Sequence, residues 1–562
     1  MVRKIMTIFG REIKGLHEAA YLLAFFALLS QILALVRDKL LAYTFGASHT
    51  LDIYYAAFRL PDLIFVTIAS VVSASVLVPF FIERYSSDED HGKAFIDNVF
   101  SAFFFAMVVA SVIAYILVPY ALPILLPGFK HDESLPELIT ATRILLLSPF
   151  FLGISNFFSS VTQMHRRFLI YALSPLLYNM GIIVGIIVLY PIFGLNGLIG
   201  GVVLGALLHM IIQAPFIFHE KMFPRLRMLN PRVMWTDLSR VVRLSLPRTL
   251  TLSSNQLASF FLVALASLMS GGSISIFNLA YNLQSVPLTI VGVSYSSAVF
   301  PTLSKFFVKG DRAQFLGQMV ISARHIIFWS APISVLFIVL RAQIVRVIYG
   351  AGHFTWSDTR LTAAVLAIFT VSVLGQGLIL LFVRAYYAEG ATQRPLLINV
   401  LSGVIIVVLG YVLTKLFFAE PIFRYFLEAL LRVTGQAGTS VLVLPLAYSI
   451  GTIINTILHW AMFERDYPGF TRQVWNNLFQ SVAASLIMGL ATYESLNVFD
   501  KVFSLSKISG VFLQGFCAGI IGIIVGILVL IALRNAEIAE VWKALHSKIW
   551  KAKIVVPEAE HL

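Results

Sequence analysis

The sequence predicts an all-α polytopic membrane protein with about fourteen transmembrane helices. Hydrophobic residues make up 59% of the 562-residue chain and charged residues only 12%, about half of the roughly 25% that is usual in a soluble domain. Apolar runs of about 20 residues, the length that crosses a hydrocarbon core, recur along the whole chain. The single cysteine, Cys517, excludes an intramolecular disulfide framework.

Fourteen apolar segments are long enough to span a bilayer. The first follows a basic N-terminus but ends in Arg37-Asp38-Lys39 and not in a small-residue cleavage site, which predicts an uncleaved span. The fifth and sixth are separated only by the short turn Pro191–Asn196. The predicted spans cover residues 19–36, 60–81, 95–125, 138–161, 173–192, 195–218, 244–270, 277–301, 319–340, 361–383, 396–414, 440–463, 477–498 and 509–533.

The distribution of lysine and arginine predicts the orientation. If both termini are cytoplasmic, the cytoplasmic segments hold about twice as many lysines and arginines as the external loops, as the positive-inside rule requires. The formal net charge of +13 is explained by the same loop residues at the lipid surface, so it does not indicate a nucleic-acid partner.

The two halves of the chain resemble each other on either side of a basic linker. Ala57-Phe58-Arg59-Leu60 matches Ala280-Tyr281-Asn282-Leu283, and Pro79 aligns with Pro301. Chance similarity between apolar helices is the alternative. Two parallel six-helix repeats are a known transporter architecture, with the substrate between the repeats. The predicted segments are an interfacial N-terminus (1–18), two lobes (19–218 and 244–463), a cytoplasmic linker (219–243), two C-terminal helices (464–533) and a cytoplasmic amphipathic tail (534–562).

Amphipathic patterns outside the spans predict helices that lie in the membrane interface. They occur at residues 1–17, 420–433 and 536–555, where apolar side chains alternate at helical spacing with basic and polar ones. Ordinary flexible ends and a loop are the alternative interpretation.

Ionisable residues within or beside spans are costly to bury and are therefore candidate functional residues. The set comprises Arg37, Asp38, Asp52, Arg59, Arg143, Arg248 and Arg384. For Arg143, Arg248 and Arg384 the competing interpretation is a long side chain that reaches the lipid headgroups from near a span end.

Four of these residues belong to a dense motif. Its first block contains SQILALVRDK at 30–39, Phe45-Gly46-Ala47, Asp52 and AFRLPDL at 57–63. A second block contains Gly352-His353-Phe354, Asp358, Thr362-Ala363, RAYYA at 384–388 and TQRP at 392–395. A third contains Arg167-Phe168, Pro175 and Asn179. In this order the blocks resemble the lipid II flippase family (MurJ, also called MviN), within a superfamily that includes multidrug and polysaccharide exporters; the resemblance runs from about residue 19 to 533.

The resemblance implies a transporter, not an enzyme, in the bacterial cytoplasmic membrane. It implies translocation of an undecaprenyl-pyrophosphate-linked peptidoglycan precursor through a cationic cavity between two lobes, with the last two helices forming a lipid-facing groove. Arg37, Asp38, Asp52, Arg59 and Asn282 fall at the implied substrate site. A nearby carboxylate, Asp38 or Asp52, is expected to hold the arginine in place when the cavity is empty. No cofactor and no metal are expected. The expected partners are the lipid-linked glycan and membrane lipids, with cell-wall synthesis proteins as further candidates.

The sequence departs from the family pattern at several cavity positions. Gln31, Phe65 and Asn282 stand where the family carries arginines, and Arg59 stands where it usually carries lysine. Some members bind sodium through carboxylates in the seventh and eleventh spans, which hold neither Asp nor Glu in this sequence. These departures bear on the headgroup and on sodium coupling, not on the fold.

Four other functions compete with this interpretation. An exporter of another polyprenyl-pyrophosphate-linked glycan is the nearest alternative. A drug–cation antiporter needs membrane carboxylates, and a membrane glycosyltransferase or ligase needs a catalytic carboxylate on a sizeable external loop. A non-transporting scaffold is the fourth. The sequence has no phosphate-binding glycine loop, no metal-spaced His/Cys cluster and no nucleophile triad.

Overall fold

The computed structural model describes residues 16–69, 77, 89–164, 167–219, 222–226 and 231–541, and these ranges form helices without a strand. The helices are α1 (Leu16–Phe45), α2 (His49–Ala57), α3 (Arg59–Ile64), α4 (Glu89–Leu125), α5 (Leu135–Leu145), α6 (Leu147–Met164), α7 (Phe168–Val184), α8 (Tyr190–Ile211), α9 (Ala214–His219), α10 (Pro231–Ser267), α11 (Ser273–Pro287), α12 (Ser294–Val308), α13 (Arg312–Val339), α14 (Arg341–Tyr349), α15 (Trp356–Thr370), α16 (Val373–Ala388), α17 (Gln393–Ala419), α18 (Pro421–Leu430), α19 (Val443–Asp466), α20 (Phe470–Phe499) and α21 (Ile508–Ala532).

The helices agree with a polytopic membrane protein. Within the described ranges, 10 helical segments are long and apolar enough to cross a bilayer, or 11 if α15 and α16, bent by 42°, form one span. One of these segments, Leu169–His219, is 51 residues long and covers the predicted fifth and sixth spans. Helix α1 covers the predicted first span. Half of the predicted second span, residues 70–76 and 78–81, lies outside the described residues.

A glycine kink divides the long segment into two spans. Gly194 has φ 59° and ψ −143°, a conformation that is essentially restricted to glycine, and it lies in the predicted Pro191–Asn196 turn. The helices on either side pack closely, because a Cβ on Gly181 would lie 2.2 Å from the Cα of Gly205. The kink therefore lies within the turn that the sequence predicts between these two spans.

The repeat is visible in the backbone of both halves. A π-helical segment, Phe65–Ala69, follows α3, and another, Leu288–Val293, follows α11. Their first residues differ by 288 − 65 = 223 positions, the offset between the matching Arg59 and Asn282 motifs. Pro79, the partner of Pro301 in the sequence match, lies outside the described residues.

The chain forms two compact units. The first comprises residues 1–283, 348–369 and 391–455, and the second comprises 284–347, 370–390 and 456–562. In the first unit, Phe95, Phe100, Phe157 and Met107 belong to a buried apolar core. In the second unit, α20 packs against both α13 and α21. The lobes 19–218 and 244–463 stay a prediction, and α10 begins at Pro231, within the predicted linker.

The predicted interfacial stretches have different outcomes. Residues 1–15 and 542–562 lie outside the described part of the chain. Residues 420–433 contain α18, which begins with a proline at its first turn. Its apolar side chains Ile422, Tyr425 and Phe426 are exposed, whereas Glu428 is buried and accepts hydrogen bonds from Arg424 and Thr439. The stretch is therefore a helix with one exposed apolar face.

Candidate functional site

An ion pair between neighbours on α1 lies at the centre of the candidate site. Arg37 donates to Asp38 Oδ1 from Nη2 at 2.7 Å and from Nε at 2.9 Å. Its Nη1 donates to Asn179 Oδ1 on α7 at 3.0 Å. Asp38 is buried, while the Arg37 side chain keeps 20% of its surface exposed. A cation is therefore held in a fixed orientation with part of its surface still reachable.

The second carboxylate oxygen of Asp38 extends this network to α11. It accepts a hydrogen bond from Asn282 Nδ2 at 3.0 Å. Asn282 occupies the position at which the family carries an arginine, so here the buried carboxylate is shared between one cation and one neutral amide. These hydrogen bonds connect α7, α1 and α11 through Asn179, Arg37, Asp38 and Asn282, and we call them the Arg37 network.

Arg59, at the start of α3, makes a separate contact with the same helix. Its Nη2 donates to Asn278 Oδ1 on α11. Arg59 is buried, and its Nε has no hydrogen-bond partner within the described part of the chain. Arg59 therefore contacts α11 through Asn278, and its described hydrogen bond is separate from those of Arg37.

Asp52, on α2, caps the N-terminus of α11. One carboxylate oxygen accepts from the Gly272 N–H at 2.6 Å, and the other accepts from the N–H and the hydroxyl of Ser275 at 2.7 and 2.6 Å. A carboxylate at a helix N-terminus satisfies free amide groups and is favoured by the helix dipole. Sequence analysis left open whether Asp38 or Asp52 holds Arg37, and the geometry assigns that contact to Asp38.

One face of α11 therefore contacts three of the charged residues predicted for the site. Ser275, Asn278 and Asn282 follow each other at intervals of three and four residues, which places them on one side of a helix. They pair with Asp52, Arg59 and Asp38 respectively. We call this face the polar stripe of α11.

Sequence reasoning missed Ser275, Asn278 and Asn179 as site residues. Asn179 was visible in the third motif block, and the α11 residues show a helical spacing of polar side chains within an apolar span. That spacing could have indicated a site, but serine and asparagine are common enough in membrane helices that the pattern alone did not identify their partners.

Loops at the capped end of α11 pack tightly against one another. A Cβ on Gly272 would lie 2.3 Å from the Ala47 carbonyl oxygen, and one on Gly46 would lie 2.5 Å from that of His353. The His353 N–H donates to the Tyr43 carbonyl at 2.9 Å. The segments 46–49, 270–272 and 352–354 form what we call the loop cluster. All three belong to the first unit.

The loop before α5 joins the loop cluster through His49. His49 Nε2 lies 3.0 Å from Ser134 Oγ and 3.4 Å from Asp132 Oδ2. Hydrogen bonds from the side chain and the backbone N–H of Ser134 lower the pKa of Asp132 below its usual range. Asp132 therefore stays negative beside His49 at neutral pH.

Of the three remaining candidates, Arg143 has described contacts, and these lie outside the Arg37 network. Arg143, on α5, donates from Nε to the Tyr115 carbonyl at 3.2 Å and lies over the Tyr115 ring. Arg384 lies on α16 in the second unit. Arg248 belongs to α10, but its side chain lies outside the described residues. Within the described ranges, no group of three metal-ligating side chains is present.

Helical spans, an internal repeat and buried charges on facing helices define a transporter of the class that alternates between two halves of one chain. A family model described as Lipid II flippase MurJ matches residues 41–513. The chain belongs to this lipid II flippase family. It is therefore a multi-pass transporter of the bacterial inner membrane and not an enzyme, and its substrate class is a membrane-embedded, lipid-linked glycan.

Individual relatives agree with the family assignment. The chain is 25% identical over 491 residues to a lipid II flippase of Burkholderia cenocepacia, covering 86% of this chain and 91% of that protein. It is 27% identical over 495 residues to a probable lipid II flippase of Bdellovibrio bacteriovorus, covering 86% and 89%.

Solved structures support the same fold. A lipid II flippase in an inward closed conformation matches with a TM-score of 0.71 and 21% identity, and the match covers 93% of this chain and 100% of that one. An inward-facing multidrug transporter of the MATE family has a TM-score of 0.64 and 14% identity, covering 79% and 96%. The second match shows that a multidrug transporter has a similar fold.

Proposed function

We propose that this chain moves undecaprenyl-pyrophosphate-linked peptidoglycan precursor, lipid II, from the inner to the outer leaflet, with Arg37 as the principal contact of the pyrophosphate. The observation that carries this proposal is the Arg37 network. A guanidinium binds phosphate oxygens through two parallel hydrogen bonds and stays charged when it loses water. Arg37 is held by a carboxylate, and its side chain is still partly exposed.

Asp38 neutralises Arg37 when no substrate is bound. An unpaired buried charge is costly, so a partner carboxylate stabilises the empty site. An arriving pyrophosphate replaces Asp38 at the Arg37 fork, and Asn282 stays as a donor to the released carboxylate. Asp38 then depends on Asn282 for its hydrogen bond, which couples substrate occupancy to the contact between α1 and α11.

Alternating access requires the loop cluster to open on the side to which the substrate is released. Asp52 lies on α2, and its partners Gly272 and Ser275 lie at the start of α11. Separating α2 from α11 therefore breaks the three hydrogen bonds of Asp52. We propose that rocking of residues 19–218 against 244–463 performs this opening. The same movement pulls Asn278 and Asn282 away from Arg59 and Asp38, which links opening to substrate release.

The expected test of function is rescue of bacteria depleted of their own lipid II flippase. Expression of this chain is expected to restore growth, because this chain and the missing flippase transport the same lipid precursor. A strain that lacks an exporter of another polyprenyl-pyrophosphate-linked glycan is the matched control and is not rescued. Rescue of only the second strain, at equal membrane expression, contradicts the proposal and favours the alternative headgroup, for which the neutral Asn282 is the structural argument.

The proposed orientation places both termini in the cytoplasm and the loop cluster outside. Cysteines introduced by Ser357→Cys, in the first turn of α15, and by Ser504→Cys, in the loop before α21, lie at exposed positions. They are expected to react with a membrane-impermeant thiol reagent in intact cells, whereas one introduced by Gly310→Cys reacts only after lysis. The background is Cys517→Ala, because Cys517 is the one native cysteine. External labelling at position 310 contradicts this topology.

A further inference from the structure

Arg143 borders a cavity that faces away from the Arg37 network. The cavity has a volume of about 720 Å³ and lies between α4 and α5. A separate, smaller cavity of about 210 Å³ is lined by Asp62 and by Asn179, the partner of Arg37. Leu145 and Ser148 line the smaller cavity, while Ile144 and Leu147 line the larger one. The two cavities are therefore on opposite faces of the α5–α6 segment.

The larger cavity opens toward lipid. Val112 and Tyr115 on α4 and Leu147 on α6 line it, and they are 53%, 51% and 50% exposed. Large apolar side chains with this exposure, within helices that span the bilayer, contact acyl chains. A hydrocarbon chain therefore fits the wall of this cavity, whereas a soluble ligand does not.

Two polar groups in the cavity wall lack full partners. Arg143 donates a hydrogen bond from Nε to the Tyr115 carbonyl. Within the described part of the chain, its Nη groups have no hydrogen-bond partner, and no carboxylate lies within 4.0 Å of its guanidinium. The Ser111 hydroxyl is buried and has no partner among the described residues. A buried hydroxyl without a partner costs free energy, and an uncompensated cation in a lipid-facing wall costs more.

We propose that this cavity binds one anionic phospholipid, whose phosphate contacts Arg143 and whose acyl chain lies against Val112 and Leu147. The ligand must be anionic because the wall supplies a positive charge without a counter-charge. It must be a lipid because the cavity is open to the bilayer and otherwise apolar. Arg143 lies two turns into α5, about 12 Å from its first residue at 1.5 Å per residue, so its side chain extends from within the hydrocarbon toward the headgroups. On the orientation proposed above this is the outer leaflet. The site is independent of the proposed substrate contact at Arg37.

The test is native mass spectrometry of the purified full-length protein titrated with phosphatidylglycerol, with phosphatidylethanolamine as the zwitterionic comparison. Arg143→Gln is expected to lower the affinity for the first bound phosphatidylglycerol about tenfold or more, since a hydrogen bond to a charged group is lost. Lys130→Gln removes the same charge from an exposed position in the neighbouring loop and leaves that affinity unchanged. Phosphatidylethanolamine binds more weakly and is insensitive to both substitutions.

A second variant separates lipid binding from folding. Val112→Trp fills the cavity from an exposed position and keeps the Arg143–Tyr115 contact, so it is expected to abolish the same binding step. The proposal is overturned if Arg143→Gln and Lys130→Gln bind phosphatidylglycerol equally, if the two lipids bind the unmodified protein equally, or if Val112→Trp retains the bound lipid.

Discussion

Arg37→Ala is expected to lower the flipping rate at least about a hundredfold, because two charge-assisted hydrogen bonds of roughly 1.5–3 kcal/mol each are lost at the pyrophosphate. Arg37→Lys keeps the charge but loses the planar fork, and it also loses the three-point hold of Asp38 and Asn179. We expect this variant to lose more than about tenfold. The measurement is translocation of a labelled lipid II analogue in liposomes that contain equal amounts of folded protein.

Asn282→Ala is the matched comparison within the same network. It removes one hydrogen bond to the Asp38 carboxylate, worth roughly 1.5–3 kcal/mol. The rate therefore falls less than in Arg37→Ala, which loses two such bonds at the pyrophosphate together with the positive charge. Because Arg37→Ala leaves the buried Asp38 unpaired, the double variant Arg37→Ala/Asp38→Asn tests whether instability explains the loss. It is expected to restore folding and not transport. Full activity of Arg37→Ala together with loss of activity in Asn282→Ala contradicts this site.

The fold class was predictable because a membrane helix must satisfy its own backbone and present apolar side chains over its whole length. Those requirements produce long apolar runs that composition alone reveals. Because apolar side chains occur along the whole length of each span, the pattern does not indicate local changes of backbone geometry. It gives no sign of the π-helical segments after α3 and α11, and it located the kink at Gly194 only to within the turn that begins at Pro191. Helix limits also extend beyond the apolar runs, as at Pro231.

The charged half of the site was predictable, and its neutral half was not. Arg37, Asp38, Asp52 and Arg59 stand out because charges are rare in spans. Their partners do not, since Ser275 and Asn278 are ordinary helix residues whose role depends on which helix faces them. The pairing of Arg37 with Asp38 also required coordinates, because adjacent residues on a helix normally point in different directions and Asp52 was an equally reasonable partner.

The contact between α2 and α11 offers a direct way to hold the loop cluster shut. A Cβ on Gly271 would have the Cβ of His49 as its nearest neighbour, 4.0 Å away, within the separation of about 3.5–4.5 Å that a disulfide requires. Gly271 is not among the glycines with positive φ, so a cysteine fits its backbone. A disulfide between these positions joins the two sides of the contact that the proposed transport cycle must open.

The most direct measurement is therefore lipid II flipping by the protein with His49→Cys, Gly271→Cys and Cys517→Ala, before and after oxidation. Each single cysteine variant controls for loss of the His49 contacts and for the changed glycine. The account predicts that the disulfide forms readily, that flipping stops completely when it has formed, and that a reducing agent restores it. Flipping at the rate of the reduced protein while the disulfide is intact would contradict the claim that the loop cluster opens during transport.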